Sequence, residues 1–429
     1  MEKTLYPLSE PLNGSIQIPG DKSISHRAIM FGSVAKGETI VSNFLPGADC
    51  LSTIDCFRKL GVQIDQQDTT VTISSEGFHS FKEPAEILDT GNSGTTTRLL
   101  TGLLAGSSIF AVIKGDESIS KRPMGRVTNP LRKMGAIIHG REEAQFTPLA
   151  ISGTKLQGIN YTMPVASAQV KSAILLAGLH SESETVLQEN VKTRDHTEKM
   201  MEQFGVDIKV VDNTIHLKPA GELHGRTIEV PGDISSAAFF LVAGAITPNS
   251  SIELKNVGLN DTRTGILDIL QAMNATYKVT PQSVHSTEPV GTISIEYSAL
   301  TGTTIDGSFI PRLIDEIPVI ALMATQAVGK TIIKDAEELK VKETNRIDAV
   351  VTELKKLGAT IEATEDGMII EGPTPLHGGT IQTYGDHRIA MMASIASLIS
   401  SDPITIDNYH CINVSYPTFF DHIEKLTTK

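Results

Sequence analysis

Two apolar periodicities alternate along the chain. Short runs such as Ser15-Ile16-Gln17-Ile18 alternate apolar and polar residues and read as half-buried strands. Each is followed by a turn of Pro, Gly, Thr or Asp and then by an Ala-rich apolar run of helical length. This order returns six times, starting near Ile16, Ile87, Tyr161, Ile228, Phe309 and Ile381. The spacing is roughly 70 residues, longer than that of a solenoid repeat. The first helix of a unit is apolar on every side, as in Ala237–Ile246 and Ile317–Ala327. A helix of that kind belongs inside.

Five units continue into a second helix with an ordinary amphipathic stripe. The spacing predicts these helices at Leu51–Leu60, Gly125–Met134, Thr197–Phe204, Arg263–Met273 and Thr344–Leu357. Each runs into a short strand, with a further strand after it such as Thr70–Ile73 or Gly367–Ile370. The sixth unit ends early at a helix over Phe419–Leu426. A spare strand at Thr4–Leu8 is expected to complete it and to bring the chain ends together. The fold class that follows is α/β, with helices inside and sheets outside. Two domains of three units are expected. One is continuous, 20–235; the other is discontinuous, 1–19 with 236–429. Several of the buried helix starts are expected to face one interdomain cleft.

Composition changes this picture little. The 429 residues suffice for more than one domain, and apolar and charged fractions are ordinary. A net charge of -13 argues against a general nucleic-acid surface. Cys50, Cys56 and Cys411 show no metal-site spacing, and so sparse a set suits a reducing, cytoplasmic compartment. The start, Met-Glu-Lys-Thr-Leu-Tyr-Pro, lacks the apolar stretch of a signal peptide. The longest apolar run, Leu99 to Ile113, is interrupted by glycines and serines and is too short to span a bilayer.

The charged residues cluster at the starts of the inner helices. The first start reads Gly20-Asp21-Lys22-Ser23-Ile24-Ser25-His26-Arg27. Cations at a helix N-terminus oppose the macrodipole, which favours a bound anion held jointly by the backbone and the charges. An ordinary N-cap with solvent-facing charges is the alternative. The second start carries Gly91-Asn92-Ser93-Gly94-Thr95 and Arg98, and the third Ser167, Gln169 and Lys171. The fifth carries Arg312, Asp315 and Glu316, and the sixth Asp386, His387 and Arg388. The fourth, around Asp233, reads as simple N-capping. Connecting turns add Lys121-Arg122-Pro123 and Lys342-Glu343-Thr344-Asn345-Arg346. Any one arginine here is equally a salt-bridge partner. Their recurrence at equivalent points of the unit argues for a cleft lined with cations, suited to phosphate and carboxylate groups. Asp315 and Glu343 stand among those cations and suit a general base and a general acid. Ala324-Thr-Gln-Ala-Val-Gly329-Lys330-Thr331 matches a relaxed P-loop, but its predicted order is helix then strand. A P-loop needs strand, loop, helix, so an ATP site is rejected.

The motifs GDKSISHR, GNSGTTTR, KRPMGR, the Ser167-Ala168-Gln169 turn, IDEIP, VKETNR and YGDHRIAM occur in this order. Together they resemble the 5-enolpyruvylshikimate-3-phosphate (EPSP) synthase family along the whole chain. The resemblance implies a two-domain inside-out α/β barrel, each domain of three βαβαββ units. It implies 3-phosphoshikimate 1-carboxyvinyltransferase activity in the shikimate pathway to chorismate and aromatic amino acids. The enolpyruvyl group of phosphoenolpyruvate would pass to the 5-hydroxyl of shikimate-3-phosphate, with release of phosphate, no cofactor, and a monomeric enzyme. Such enzymes are glyphosate targets.

Carried over motif by motif, Lys22, Ser23, Arg27, Ser167, Gln169, Arg194, Asp315 and Lys342 would bind shikimate-3-phosphate. Lys22, Gly94, Arg122, Gln169, Glu343, Arg346 and Arg388 would bind phosphoenolpyruvate. The catalytic set would be Asp315 as base, Glu343 as acid, and Lys22 between the substrates; no metal is implied. The chain departs from the commonest family pattern in two places. Ala168 stands where a second serine is usual. Asn413-Val414-Ser415-Tyr416-Pro417 lacks a lysine before its proline. Both departures are similar to the family's second class. Two other readings stay open: a UDP-N-acetylglucosamine enolpyruvyl transferase, and a non-catalytic phosphometabolite-binding protein.

Overall fold

The computed structural model describes residues 2–282 and 287–427. Six inner helices occur where the apolar runs predict them: Lys22–Val34, Gly94–Ala105, Ala168–Gly178, Ile234–Ile246, Ile317–Thr325 and His387–Ala396. Five start at a residue whose side chain accepts a hydrogen bond from a first-turn backbone N–H: Asp21, Ser93, Ser167, Asp233 and Asp386. Such a cap satisfies a donor that the helix cannot satisfy itself. The fifth inner helix instead follows a short helical turn, Ile310–Leu313, and carries Pro318 in its own first turn. Every residue of Ile234–Ile246 and of Ile317–Thr325 is buried, as a run without a polar face requires. The amphipathic helices are Ala48–Lys59, Gly125–Lys133, His196–Gln203, Gly265–Ala272, Arg346–Lys356 and Phe419–Thr427.

The described strands form five four-stranded sheets and one three-stranded sheet. In the second unit Leu88–Asp89 runs parallel to Phe110–Lys114, with the inner helix Gly94–Ala105 as the crossover. Two antiparallel strands, Phe146–Ser152 and Ile137–Gly140, extend the sheet. The other four-stranded sheets likewise have one parallel and two antiparallel pairings, and the three-stranded sheet has one of each. Among the described residues no sheet closes on itself, so the inside-out character lies in buried helices under small open sheets.

Strand pairing corrects the sequence reading at two places. Asn13–Gln17 was expected to open the first unit. It pairs instead, in parallel, with Ser251–Gly258, the strand after the fourth inner helix. Conversely, Thr227–Glu229 pairs in parallel with Lys36–Ser42, the strand after the first inner helix. The first and fourth units have exchanged their leading strands. Periodicity identifies a strand but not its partner, because the backbone groups that choose the partner are remote in sequence.

The chain divides into two compact units, Met1–Pro19 with Pro231–Lys429, and Gly20–Val230. The crossings fall at the two exchanged strands, the second slightly before the 235/236 boundary read from sequence. Each unit has its own apolar core. In the discontinuous unit, Lys3–Leu5 pairs antiparallel with Ile404–Ile406, so both chain ends build one sheet. Its inner helices Ile234–Ile246, Ile317–Thr325 and His387–Ala396 pack on one another. In the continuous unit Gly102 lets two inner helices touch backbone to backbone: a Cβ there would lie 2.1 Å from the Ala173 carbonyl oxygen. No described helix is long and apolar enough to cross a membrane.

Candidate active site

In the discontinuous unit the polar residues gather around Arg346, the first residue of an amphipathic helix capped by Asn345. Its guanidinium is 1% exposed and meets three carboxylates. Nε donates to Asp386 Oδ2 at 2.8 Å and Nη2 to Asp386 Oδ1 at 3.2 Å. Nη2 also donates to Glu343 Oε2 at 2.6 Å, and Nη1 to Asp315 Oδ1 at 3.4 Å. Lys342 Nζ reaches the same Asp315 oxygen at 3.2 Å. Burial works against the guanidinium charge, but Asp386, Glu343 and Asp315 outweigh it and raise its pKa above an already high ordinary value. Asp386 is fully buried, whereas Asp315 and Glu343 keep 20% and 17% side-chain exposure. Two carboxylates that solvent reaches are thus set on one buried cation.

Arg388 lies one helical step from Asp386, which caps its backbone N–H at 2.9 Å. Its side chain donates to Ser235 Oγ at 3.3 Å and approaches Glu316 at 3.9 Å. Ser235 in turn donates to Glu316. Asp233 caps its helix as expected and also meets Arg263 at 3.2 Å. The fourth start is therefore more than a cap, because Ser235 touches a candidate substrate-binding arginine. Nothing in the local pattern PGDISSAAFF signals this; the contact spans 153 residues.

In the continuous unit Lys22 pairs with Asp49 at 3.1 Å, and Ser23 Oγ accepts from Arg194 at 2.5 Å. The Asp21 carboxylate caps this helix start, accepting from Ile24 N at 2.8 Å. Gly94 opens the second inner helix beside Arg122: a Cβ on Gly94 would lie 3.0 Å from Arg122 Nη1. Ser167 caps the helix that carries Gln169, whose amide donates to Thr95 at 3.0 Å and accepts from Arg98.

Among the cations read from the sequence as cleft-lining, Lys171 and Arg312 are tied to carboxylates, and Arg27 is buried against neutral acceptors. Arg27, 2% exposed, donates to Thr197 and Ser172 hydroxyls at 2.7 Å and to the Ser23 carbonyl at 3.0 Å. Lys171 is fully buried between Glu189 at 3.0 Å and Glu198 at 2.6 Å. Arg312 holds Asp268 at 2.5 Å and the Asp261 carbonyl at 2.6 Å. A sequence shows that a cation is present but not that a remote carboxylate neutralises it. Lys330 lies in the strand Gly329–Ile333, after a helix, which removes the geometry of a P-loop. His26 is buried and bonds Thr53 at 2.7 Å. Burial, then Lys22 and Arg27, hold its pKa well below the ordinary value, so it is a neutral packing residue. His387 is buried behind Asp386.

The fold is one of buried inner helices under small open sheets, with arginines and carboxylates at the helix starts. The structural comparison agrees. An enolpyruvyl transferase from Streptomyces tendae, NikO, superposes over 99% of this chain and 97% of its own with a TM-score of 0.81. At 17% identity that likeness concerns the fold alone. An EPSP synthase from Acinetobacter baumannii superposes with a TM-score of 0.88 at 44% identity, covering 99% and 98% of the two chains. Residues 8–423 match the sequence model of EPSP synthase (3-phosphoshikimate 1-carboxyvinyltransferase). Proteins named 3-phosphoshikimate 1-carboxyvinyltransferase from Bacillus cereus AH187 and Bacillus thuringiensis subsp. konkukian 97-27 are each 58% identical to it, over 99% of both chains. The chain belongs to the EPSP synthase family.

Proposed function

We propose that the protein transfers the enolpyruvyl group of phosphoenolpyruvate to the 5-hydroxyl of shikimate-3-phosphate and releases phosphate. Full-length likeness to named 3-phosphoshikimate 1-carboxyvinyltransferases supports the reaction. The observation that carries the residue roles is that Asp315 and Glu343 share the guanidinium of Arg346.

Asp315 acts as the base. It takes the proton of the 5-hydroxyl as that oxygen bonds to C2 of phosphoenolpyruvate, and Lys342 and Arg346 stabilise its anionic form. Glu343 acts as the acid and gives a proton to C3, the methylene carbon. The product of this addition is a tetrahedral ketal. The Glu343 carboxylate then takes a proton back from C3 as the C2–phosphate bond breaks, Asp315 returns its proton to the leaving phosphate, and the double bond is regenerated. Glu343 must be protonated to start. An anionic group of phosphoenolpyruvate at Arg346 competes for the guanidinium edge that Glu343 uses, which favours a neutral carboxyl. Lys22, Gly94, Arg122, Gln169 and Arg388 are likewise assigned to phosphoenolpyruvate. Ser23, Arg27, Ser167, Gln169, Arg194 and Lys342 are assigned to shikimate-3-phosphate. Arg27 contributes there mainly by tying Ser23 to Thr197 and Ser172.

Phosphate release is the test, measured with phosphoenolpyruvate plus either shikimate-3-phosphate or UDP-N-acetylglucosamine. Release with shikimate-3-phosphate alone is expected. Release only with the nucleotide sugar overturns the acceptor, and release with neither overturns the reaction.

A further inference from the structure

Lys171 lies one helical turn past Ser167 and two residues past Gln169, yet it is fully buried. Its ammonium donates to Glu189 Oε2 at 3.0 Å and to the Thr193 carbonyl at 3.2 Å, and pairs with Glu198 Oε1 at 2.6 Å. The other oxygen of Glu189 accepts from the Thr193 backbone N–H at 3.1 Å and from the Thr193 hydroxyl at 2.5 Å. Thr193 is thus held through its N–H, its C=O and its side chain. The next residue is Arg194, whose Nη1 donates to Ser23 Oγ. Residues 190–194 belong to no helix or strand; the strand Thr185–Gln188 ends before them and the helix His196–Gln203 begins just after. Arg194 therefore lies between this anchor on one side and the start of the helix His196–Gln203, capped at Asp195, on the other.

We propose that Lys171, Glu189 and Thr193 form a buried clamp that positions Arg194 for shikimate-3-phosphate. The proposal rests on the assignment of Arg194 and Ser23 to that substrate. The clamp touches no substrate; it acts through Arg194. A mobile arginine pays ordering entropy each time it binds an anion, whereas a clamped one has paid it on folding. Loosening the clamp should therefore weaken shikimate-3-phosphate selectively.

The least disruptive probe is Thr193→Val, which deletes one hydroxyl at a buried site and keeps the shape. It is expected to raise the KM for shikimate-3-phosphate about fivefold to tenfold, the upper part of the net scale of one ordinary hydrogen bond. kcat and the KM for phosphoenolpyruvate should change less than twofold. Thr193→Ser restores the hydroxyl and should behave as wild type. Lys171→Met is expected to do more, but it leaves two buried carboxylates uncompensated and risks the fold. The decisive measurement is the cycle of Thr193→Val with Arg194→Ala. If the clamp acts through Arg194, Thr193→Val has no further effect once the arginine is gone. Multiplicative effects, or equal rises in both KM values, overturn the clamp and leave the role of Arg194 standing. An Arg194→Ala protein with unchanged KM for shikimate-3-phosphate overturns the role of Arg194 and the clamp with it.

Discussion

Asp386 grips Arg346 at two points, 2.8 Å from Nε and 3.2 Å from Nη2, with both residues buried. The same carboxylate caps the helix that carries Arg388. One side chain thus fixes one candidate phosphoenolpyruvate ligand directly and the backbone of a second. Asp386→Asn keeps the capping oxygen but not the charge. It is expected to raise the KM for phosphoenolpyruvate at least tenfold and to lower stability by about 3 kcal/mol, the scale for breaking a buried ion pair from one side. Urea denaturation and steady-state kinetics check the two effects. An unchanged KM would mean that Arg346 holds its place without Asp386.

Asp315→Asn and Glu343→Gln should each fold normally, because both side chains are partly exposed and the amides still accept from Arg346. Each is expected to lose about 10²–10⁴-fold in kcat, the range for a general acid or base. Circular dichroism and single-turnover kinetics separate folding from chemistry. A variant that retains more than a tenth of wild-type kcat would exclude that residue as acid or base.

Gly94→Ala tests the close approach to Arg122. A Cβ 3.0 Å from Nη1 forces the guanidinium to yield by a few tenths of an ångström. The fold should survive, since the neighbour is the end of a flexible side chain. The KM for phosphoenolpyruvate is expected to rise severalfold while the KM for shikimate-3-phosphate holds. Equal changes in both would mean that the glycine serves the helix start rather than Arg122.

Acid sensitivity should come partly from His180. Its ring stacks on Phe78 at 3.5 Å, and burial, with a smaller push from His79, lowers its pKa to about 3. The unfolded chain therefore takes up a proton near pH 6.5 that the folded chain refuses. The stability contribution is complete above about pH 6.5. It falls as pH drops toward 3, at up to about 1.4 kcal/mol per pH unit. His26, also lowered by burial and by Lys22 and Arg27, acts in the same direction. His180→Phe keeps the stack and removes the titration. Urea midpoints at pH 7 and pH 5 should lie closer together for the variant than for wild type. Equal separations would remove His180 from the acid limb.

Lys330→Ala should leave activity within about twofold and stability within about 0.5 kcal/mol, the usual range for an exposed position. Its ammonium reaches Glu371 at 3.6 Å, with both side chains more than half exposed. Lost activity in a folded Lys330→Ala protein would reopen the P-loop match.

The parts of the fold legible in the sequence are those made by neighbours in the chain. Ile234–Ile246 and Ile317–Thr325 are buried because no face of either is polar. Asp21, Ser93, Ser167, Asp233 and Asp386 start helices because each reaches an N–H two or three residues on. The candidate acid and base were legible as carboxylates among cations, and the ordered motifs pointed to the family. Only the tertiary structure could assign partners remote in sequence. It set Asn13–Gln17 beside Ser251–Gly258 and Thr227–Glu229 beside Lys36–Ser42. It also turned Lys171 and Arg312 into ties to Glu189, Glu198 and Asp268, and put Ser235 against Arg388. Helix formation and capping satisfy hydrogen bonds within a turn of chain, so residue type and spacing suffice. A strand edge or a buried charge is satisfied by whichever group the packed core brings to it, and that choice exists only once the chain has folded.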